Sequence, residues 1–131
     1  TLNLDLMNEA CHVLLGEQDF SAFRAASCQA KSPFRRINSC DVERRGRLIV
    51  LEISANAFLH NMVRNIVGSL MAVGAGLRTV QWFENVLLGR DRTKAAETAP
   101  ADGLYLTAVS YPPEFKLPHT PEGPTVLTGH L

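Results

Sequence analysis

Apolar residues recur at helical spacing early in the chain, at Leu4, Met7, Cys11, Leu14 and Leu15. This period predicts a helix over 4–15, with Asn3 as its N-cap and Gly16 where a helix-ending glycine belongs. Residues 17–33 show no period and read as irregular, with a short helical turn over 21–25 and a break at Pro33. Two strands follow, 34–43 and 47–54, joined at Gly46 as a hairpin. The second, Leu48-Ile-Val-Leu-Glu-Ile53, is β-branched and mostly apolar, as a central strand covered on much of both faces would be.

The strongest helical pattern runs over 57–73. At about 100° per residue, Leu59, Met62, Val63, Ile66, Val67, Ser69, Leu70 and Val73 share one broad arc. The opposite arc gathers His60, Asn61, Arg64, Asn65 and Gly68, with Met71 the one large apolar residue among them. Gly74 and Gly76 end this helix. A shorter helix over 80–88 has Trp82, Phe83, Val86 and Leu87 on its apolar side, and Gly89 closes it. Residues 90–103 read as a loop. Residues 104–111 read as a third strand, with Leu104, Leu106 and Ala108 alternating against Tyr105, Thr107 and Val109. From Pro112 onward the chain is Pro-rich and is expected to be an extended tail lying over the surface or on a partner. The elements together give an α+β fold.

Composition narrows the class. At 131 residues with 46% hydrophobic content, the chain fits one domain able to build its own core. No apolar run spans a bilayer, since the longest candidate, 58–76, is interrupted by His60, Asn61, Arg64 and Asn65. Cys11, Cys28 and Cys40 form no CxxC pair. They read as reduced packing residues of a cytoplasmic protein, with no metal site. The net charge of zero hides an uneven distribution: −4 over residues 1–23, +5 over 24–47 and −1 over 48–131. The basic block can attract a polyanion, or it is an Arg-rich solvated hairpin.

Candidate chemistry centres on the helix over 57–73. An exposed helix face normally carries Lys and Glu, and this one carries His, Asn, Asn and Gly around a single Arg64. Short polar groups of this kind suit a face half-covered by another part of the molecule or by a ligand. Arg64 then either grips a carboxylate or phosphate with its fork or makes a structural ion pair with an acid such as Glu52. No nucleophile elbow, Ser-His-Asp order, Walker A loop or dinucleotide fingerprint is present.

Five blocks in fixed order carry a resemblance. They are Gln18-Asp-Phe-Ser-Ala-Phe-Arg24; Cys28-Gln-Ala-Lys-Ser-Pro33 with Arg35; Asn56-Ala-Phe-Leu-His-Asn-Met-Val-Arg-Asn-Ile-Val-Gly68; Arg90-Asp-Arg-Thr-Lys-Ala-Ala96; and Ala99-Pro-Ala-Asp-Gly-Leu-Tyr-Leu106 with Tyr111-Pro112. The series closely resembles the C-terminal half of the bacterial tRNA pseudouridine synthase A family, over about residues 5–118. The resemblance implies an RRM-like antiparallel sheet with helices packed on one face, half of a pseudouridine synthase catalytic core. It implies isomerisation of uridine to pseudouridine at positions 38, 39 and 40 of the tRNA anticodon stem-loop. It also implies no cofactor, no metal, no membrane, and a homodimer holding tRNA between subunits.

The family's catalytic Asp belongs to a Gly-Arg-Thr-Asp-type motif in the N-terminal half, which this sequence lacks; Asp19, Asp41, Asp91 and Asp102 sit in other contexts. Residue by residue, Arg64 matches the active-site Arg that pairs with that Asp. Leu104 matches the apolar residue packed on the flipped target base. Arg24, Lys31 and Arg35 are candidate phosphate contacts, with Arg36 and Arg92 weaker; His60 and Asn61 share the RNA-facing arc. The expectation is an isolated C-terminal domain over 1–118 with a tail over 119–131, starting at Thr1 and inactive without the N-terminal half. The alternative is a stand-alone, non-catalytic RNA-binding or dimerisation domain.

Overall fold

The computed structural model describes residues 2–25, 30–59 and 61–99 with their side chains, and the backbone of two further strands at 104–108 and 125–129. Among these, α1 (Leu4–Val13) is followed by β1 (Gly16–Asp19), a 3₁₀ turn (Ser21–Phe23), and the hairpin strands β2 (Phe34–Arg45) and β3 (Leu48–Ala55). Then come α2 (Met62–Gly74), α3 (Val80–Gly89), a second 3₁₀ turn (Arg92–Lys94), β4 (Leu104–Ala108) and β5 (Thr125–Gly129). The strands form one antiparallel sheet in the order β1-β2-β3-β5-β4. The α+β class stands.

The first helix starts where its sequence predicts and ends at Val13, two residues short of the expected 15, with Leu14 as its C-cap. Asn3 caps it, with the side chain accepting from the Leu6 amide at 3.1 Å. Its C-terminus depends on a residue from the next element. The Gln18 Nε2 amide donates to the Val13 and Leu15 carbonyls, both at 2.9 Å, and so satisfies acceptors left open at a helix end. Gly16, at φ +93°, turns the chain so that β1 pairs with β2, from Gly16 opposite Ile37 to Asp19 opposite Phe34. A strand therefore occupies 16–19, where the sequence pattern gave irregular chain.

The hairpin turns at Gly46, and a register shift between Ile37 and Ser39 breaks strict alternation. Such a bulge moves the inward phase by one residue. Ile37, Cys40 and Val42 consequently all enter the core, beside Ile49, Leu51, Ile53 and Ala55 of β3. Beyond the reach of β1, the outer edge of β2 is covered by α1. The Asn8 side chain donates to the Val42 carbonyl at 2.9 Å and accepts from its amide at 2.8 Å.

Helix α2 begins at Met62, five residues later than its periodicity suggests. Asn61 adopts the left-handed conformation, φ 58°, and a helix cannot run through such a residue. From Met62 onward the apolar arc is as expected, with Met62, Ile66, Val67, Leu70 and Val73 buried. Helix α3 buries Phe83, Val86 and Leu87, and Arg90 rather than Gly89 takes the left-handed closing position at φ 57°. The Phe23 and Phe83 rings stack with centroids 5.6 Å apart, joining the first 3₁₀ turn to α3.

The chain after Pro112, read from sequence as a surface tail, contributes β5 at 125–129. This strand lies inside the sheet between β3 and β4. Thr125-Val-Leu-Thr128 is a short β-branched run that the surrounding prolines obscured. Residues 109–111, expected to continue β4, lie outside the described residues.

Candidate functional site

The polar arc of α2 is covered by the chain's own strap at 95–99. The strap runs antiparallel to the helix, meeting Ser69 first and Arg64 last. The Ala96 amide donates to Ser69 Oγ at 3.1 Å. Glu97 passes over Gly68, where a Cβ would lie 2.0 Å from the Glu97 carbonyl oxygen and 3.2 Å from the Ala99 nitrogen. Thr98 donates its hydroxyl to Asn65 Oδ1. At the end, Ala99 and Arg64 bond in both directions. The Ala99 amide donates to the Arg64 carbonyl at 3.2 Å, and Arg64 Nε and Nη2 donate to the Ala99 carbonyl at 3.2 and 3.0 Å.

Asn65 is the junction of this region. It is 1% exposed, so each of its polar atoms needs a partner. Its Nδ2 donates to the Phe23 carbonyl at 2.8 Å, holding the first 3₁₀ turn against α2. Its Oδ1 accepts from Thr98 and from Arg92 Nη2, the latter at 3.1 Å. Arg92 also donates through Nη2 to Thr98 Oγ1 at 2.9 Å and through Nη1 to the Ala96 carbonyl at 3.1 Å. Asp91 sets up this geometry by capping the turn: its carboxylate accepts from the Thr93 amide and hydroxyl. Those bonds, the hydroxyl's first, lower the Asp91 pKa below its usual 3.8. The sequence blocks at 18–24, 56–68, 90–96 and 99 thus converge on one face of one helix.

Arg64 lies at the end of this assembly and is half-buried. Its two bonds to Ala99 use the Nε–H and one Nη2–H. Among the described residues the other three N–H groups carry no bond, and two of them, one on each Nη, form the Nη1/Nη2 end edge. An arginine edge of this kind fits a carboxylate or phosphate bidentately. The structure does not form the Arg64–Glu52 ion pair raised from the sequence, because Glu52 bonds Arg45 at 2.9 Å across the hairpin.

The remaining candidates fall into distinct places. Leu104 opens β4 opposite Gly129, and its side chain lies outside the described residues, as do His60 and Cys28. Asn61 is half-buried at the left-handed entry to α2. Arg24, Lys31, Arg35 and Arg36 gather where the chain enters β2. Arg24 Nη2 donates to the Ala30 carbonyl at 2.5 Å, beside exposed Lys31. Arg35 Nη1 donates to the Ser32 and Phe34 carbonyls at 2.9 and 2.7 Å, and Arg36 is exposed. Arg44 and Arg45 stand at the far end of β2, roughly 30 Å away at ~3.3 Å per residue. The basic block is therefore two patches, and in the distal one Arg45 is already paired with Glu43 and Glu52. Arg92, expected as a phosphate contact, instead has both terminal nitrogens engaged inside the protein.

Sequence reasoning missed Asn65, Ser69, Thr98 and Ala99 as members of the site. For Asn65 the usable signal is the short-polar arc itself, which marks a covered face without naming the cover; Ser69 falls on the opposite, apolar arc, and Thr98 and Ala99 lie outside the helix. Among the described residues no group of three or more His, Cys, Asp or Glu is placed to hold a metal ion, and no helix is long and apolar enough to cross a membrane. Cys11 and Cys40 are free, buried thiols in contact. The hydrogen bond to Cys11, then burial, raises the Cys40 pKa well above its usual value.

The family model described as tRNA pseudouridine synthase matches residues 10–112. The tRNA pseudouridine synthase A of Aeromonas hydrophila is 55% identical over 124 residues, covering 95% of this chain and 46% of that protein. The proteins of the same name from Idiomarina loihiensis and Pasteurella multocida are each 54% identical. They match 94% and 99% of this chain, and 47% and 50% of their own lengths. The chain thus spans about half the length of the curated relatives it matches. Its matched segment contains α2, the strap and both candidate catalytic residues, Arg64 and Leu104, and the chain belongs to the tRNA pseudouridine synthase family.

Proposed function

We propose that this chain forms one half of the active site of a tRNA uridine-to-pseudouridine isomerase acting on the anticodon stem-loop, at positions 38, 39 and 40. The observation that carries the reading is the free Nη1/Nη2 edge of Arg64, fixed by Ala99 on a face otherwise closed by the strap. An edge of this kind pairs with a carboxylate, keeps it ionised and fixes its direction. The carboxylate is the catalytic Asp of the first half of the enzyme. Leu104, at the start of β4, packs on the target base once it leaves the stack. Arg24, Lys31, Arg35 and Arg36 bind phosphates at the entry to β2, His60 and Asn61 are further RNA contacts, and two copies of the enzyme hold the tRNA between them.

The chemistry needs no cofactor. The glycosidic bond moves from N1 to C5, C5 gives up its hydrogen and N1 gains one, so atoms and electrons balance within the nucleotide. The released C5 hydrogen provides the assay. In the complete enzyme, Arg64→Gln is expected to cut tritium release from tRNA labelled at uridine C5 by at least a hundredfold, with tRNA affinity held within threefold. Equal losses of rate and affinity would make Arg64 an RNA contact and favour a binding module.

A further inference from the structure

We propose that the strap at 95–99 is a positioning device for Arg64, and that Asn65, Gly68, Arg92 and Thr98 are positioning residues acting through it. The inference rests on the reading above, in which Arg64 meets a carboxylate. An arginine can offer a carboxylate either its Nε/Nη2 side edge or its Nη1/Nη2 end edge, and the two place the partner in different directions. Here the Ala99 carbonyl occupies the side edge with two bonds. Only the end edge remains, so the strap decides how the carboxylate is met.

Three attachments keep the Ala99 carbonyl in place. Arg92 bonds the Ala96 carbonyl, Thr98 Oγ1 and Asn65 Oδ1, tying the strap to α2 with one planar fork. Ser69 takes the Ala96 amide. Gly68 lets the strap backbone lie closer to α2 than any side chain would allow. The ring of contacts closes on Arg64 itself, whose own carbonyl accepts from the Ala99 amide. A strap displaced by about 1 Å would carry the Ala99 carbonyl away from the guanidinium it orients, and misplacement of about that size is costly to a reaction that depends on alignment.

Gly68→Ala tests the device cleanly. Alanine is the better helix former, so α2 itself is not weakened. Its methyl would meet backbone atoms of Glu97 and Ala99 that cannot rotate away, so the strap must move. The first readout uses this chain: solvent exchange of the Arg64 Nε–H, which the Ala99 carbonyl protects. Protection is expected in the unaltered chain and a loss of at least tenfold in Gly68→Ala. An unprotected Nε–H in the unaltered chain, or equal protection in both, would overturn the proposal.

The second readout is single-turnover tritium release and tRNA affinity in the complete enzyme. Gly68→Ala and Arg92→Lys are both expected to slow the chemical step by at least tenfold with affinity within threefold. Lysine keeps the charge of Arg92 but cannot reproduce its planar fork. An unchanged rate in Arg92→Lys, with weaker binding and a flatter salt dependence in Arg92→Ala, would make Arg92 a phosphate contact and overturn the proposal. If the unaltered enzyme releases no tritium at all, the isomerase reading fails. The Nε–H exchange still decides whether the strap holds Arg64.

Discussion

Replacing Asn65 with alanine removes the junction through which three sequence blocks and the strap meet. The side chain makes a neutral bond to the Phe23 carbonyl, a bond with the Thr98 hydroxyl, and a charge-assisted bond from Arg92. Typical net values are about 1 kcal/mol for each neutral bond and about 1.5–3 kcal/mol for the charged one. At 1% exposure water does not readily replace any of them, so the expected loss is about 3–5 kcal/mol. That is a large part of the ~5–15 kcal/mol that holds a typical domain together. Urea unfolding followed by far-UV circular dichroism measures it. With an m-value in the ~1–3 kcal/mol/M range, the midpoint should fall by roughly 2 M. Thr98→Val, which keeps the shape but removes both the bond to Asn65 and the charge-assisted bond from Arg92, should cost about 2–4 kcal/mol. A loss below about 1 kcal/mol for Asn65→Ala, with unchanged m, would refute the reasoning and show that the network carries little of the fold.

Further expectations follow from single contacts. Phe83→Ala empties a fully buried ring site stacked on Phe23 and should cost about 3–5 kcal/mol in the same unfolding assay. Glu52→Ala breaks an exposed pair with Arg45 and should leave the urea midpoint unmoved. Cys40 is expected to resist a maleimide reagent at neutral pH and to label promptly in urea, because its buried thiol is held protonated. The Asp91 pKa is lowered in the folded protein, so its stabilisation of the Arg92–Lys94 turn is present above about pH 4 and lost as pH falls through the lower folded value. The Thr93 amide resonance should therefore hold steady from pH 7 to about 4 and move only below that.

Features written in local sequence were legible without coordinates. Asn3 names the start of α1, Gly46 and its flanking strands name the hairpin, and the apolar arc of 62–73 names the buried face of α2. What could not be read depends on residues distant in sequence. Strand β1 forms because Gln18 caps the preceding helix and β2 offers an edge. The late start of α2 follows from a left-handed Asn61, a conformation that periodicity cannot detect. Strand β5 pairs with residues some 75 positions earlier, and five prolines upstream of it masked its β-branched run. At the site, the family pattern named Arg64. Ala99, which holds it, lies 35 positions away, the bonds that tie the strap to α2 span 27 to 33 positions, and no local pattern carries that information.

The most direct test of the account is tritium release from tRNA labelled at uridine C5, run with this chain alone and with the first half of the enzyme added separately. Release only on complementation is predicted, with the nucleophile in the added half and Arg64 and Leu104 as this chain's contribution. Release by this chain alone would contradict that division and place the nucleophile among its own aspartates.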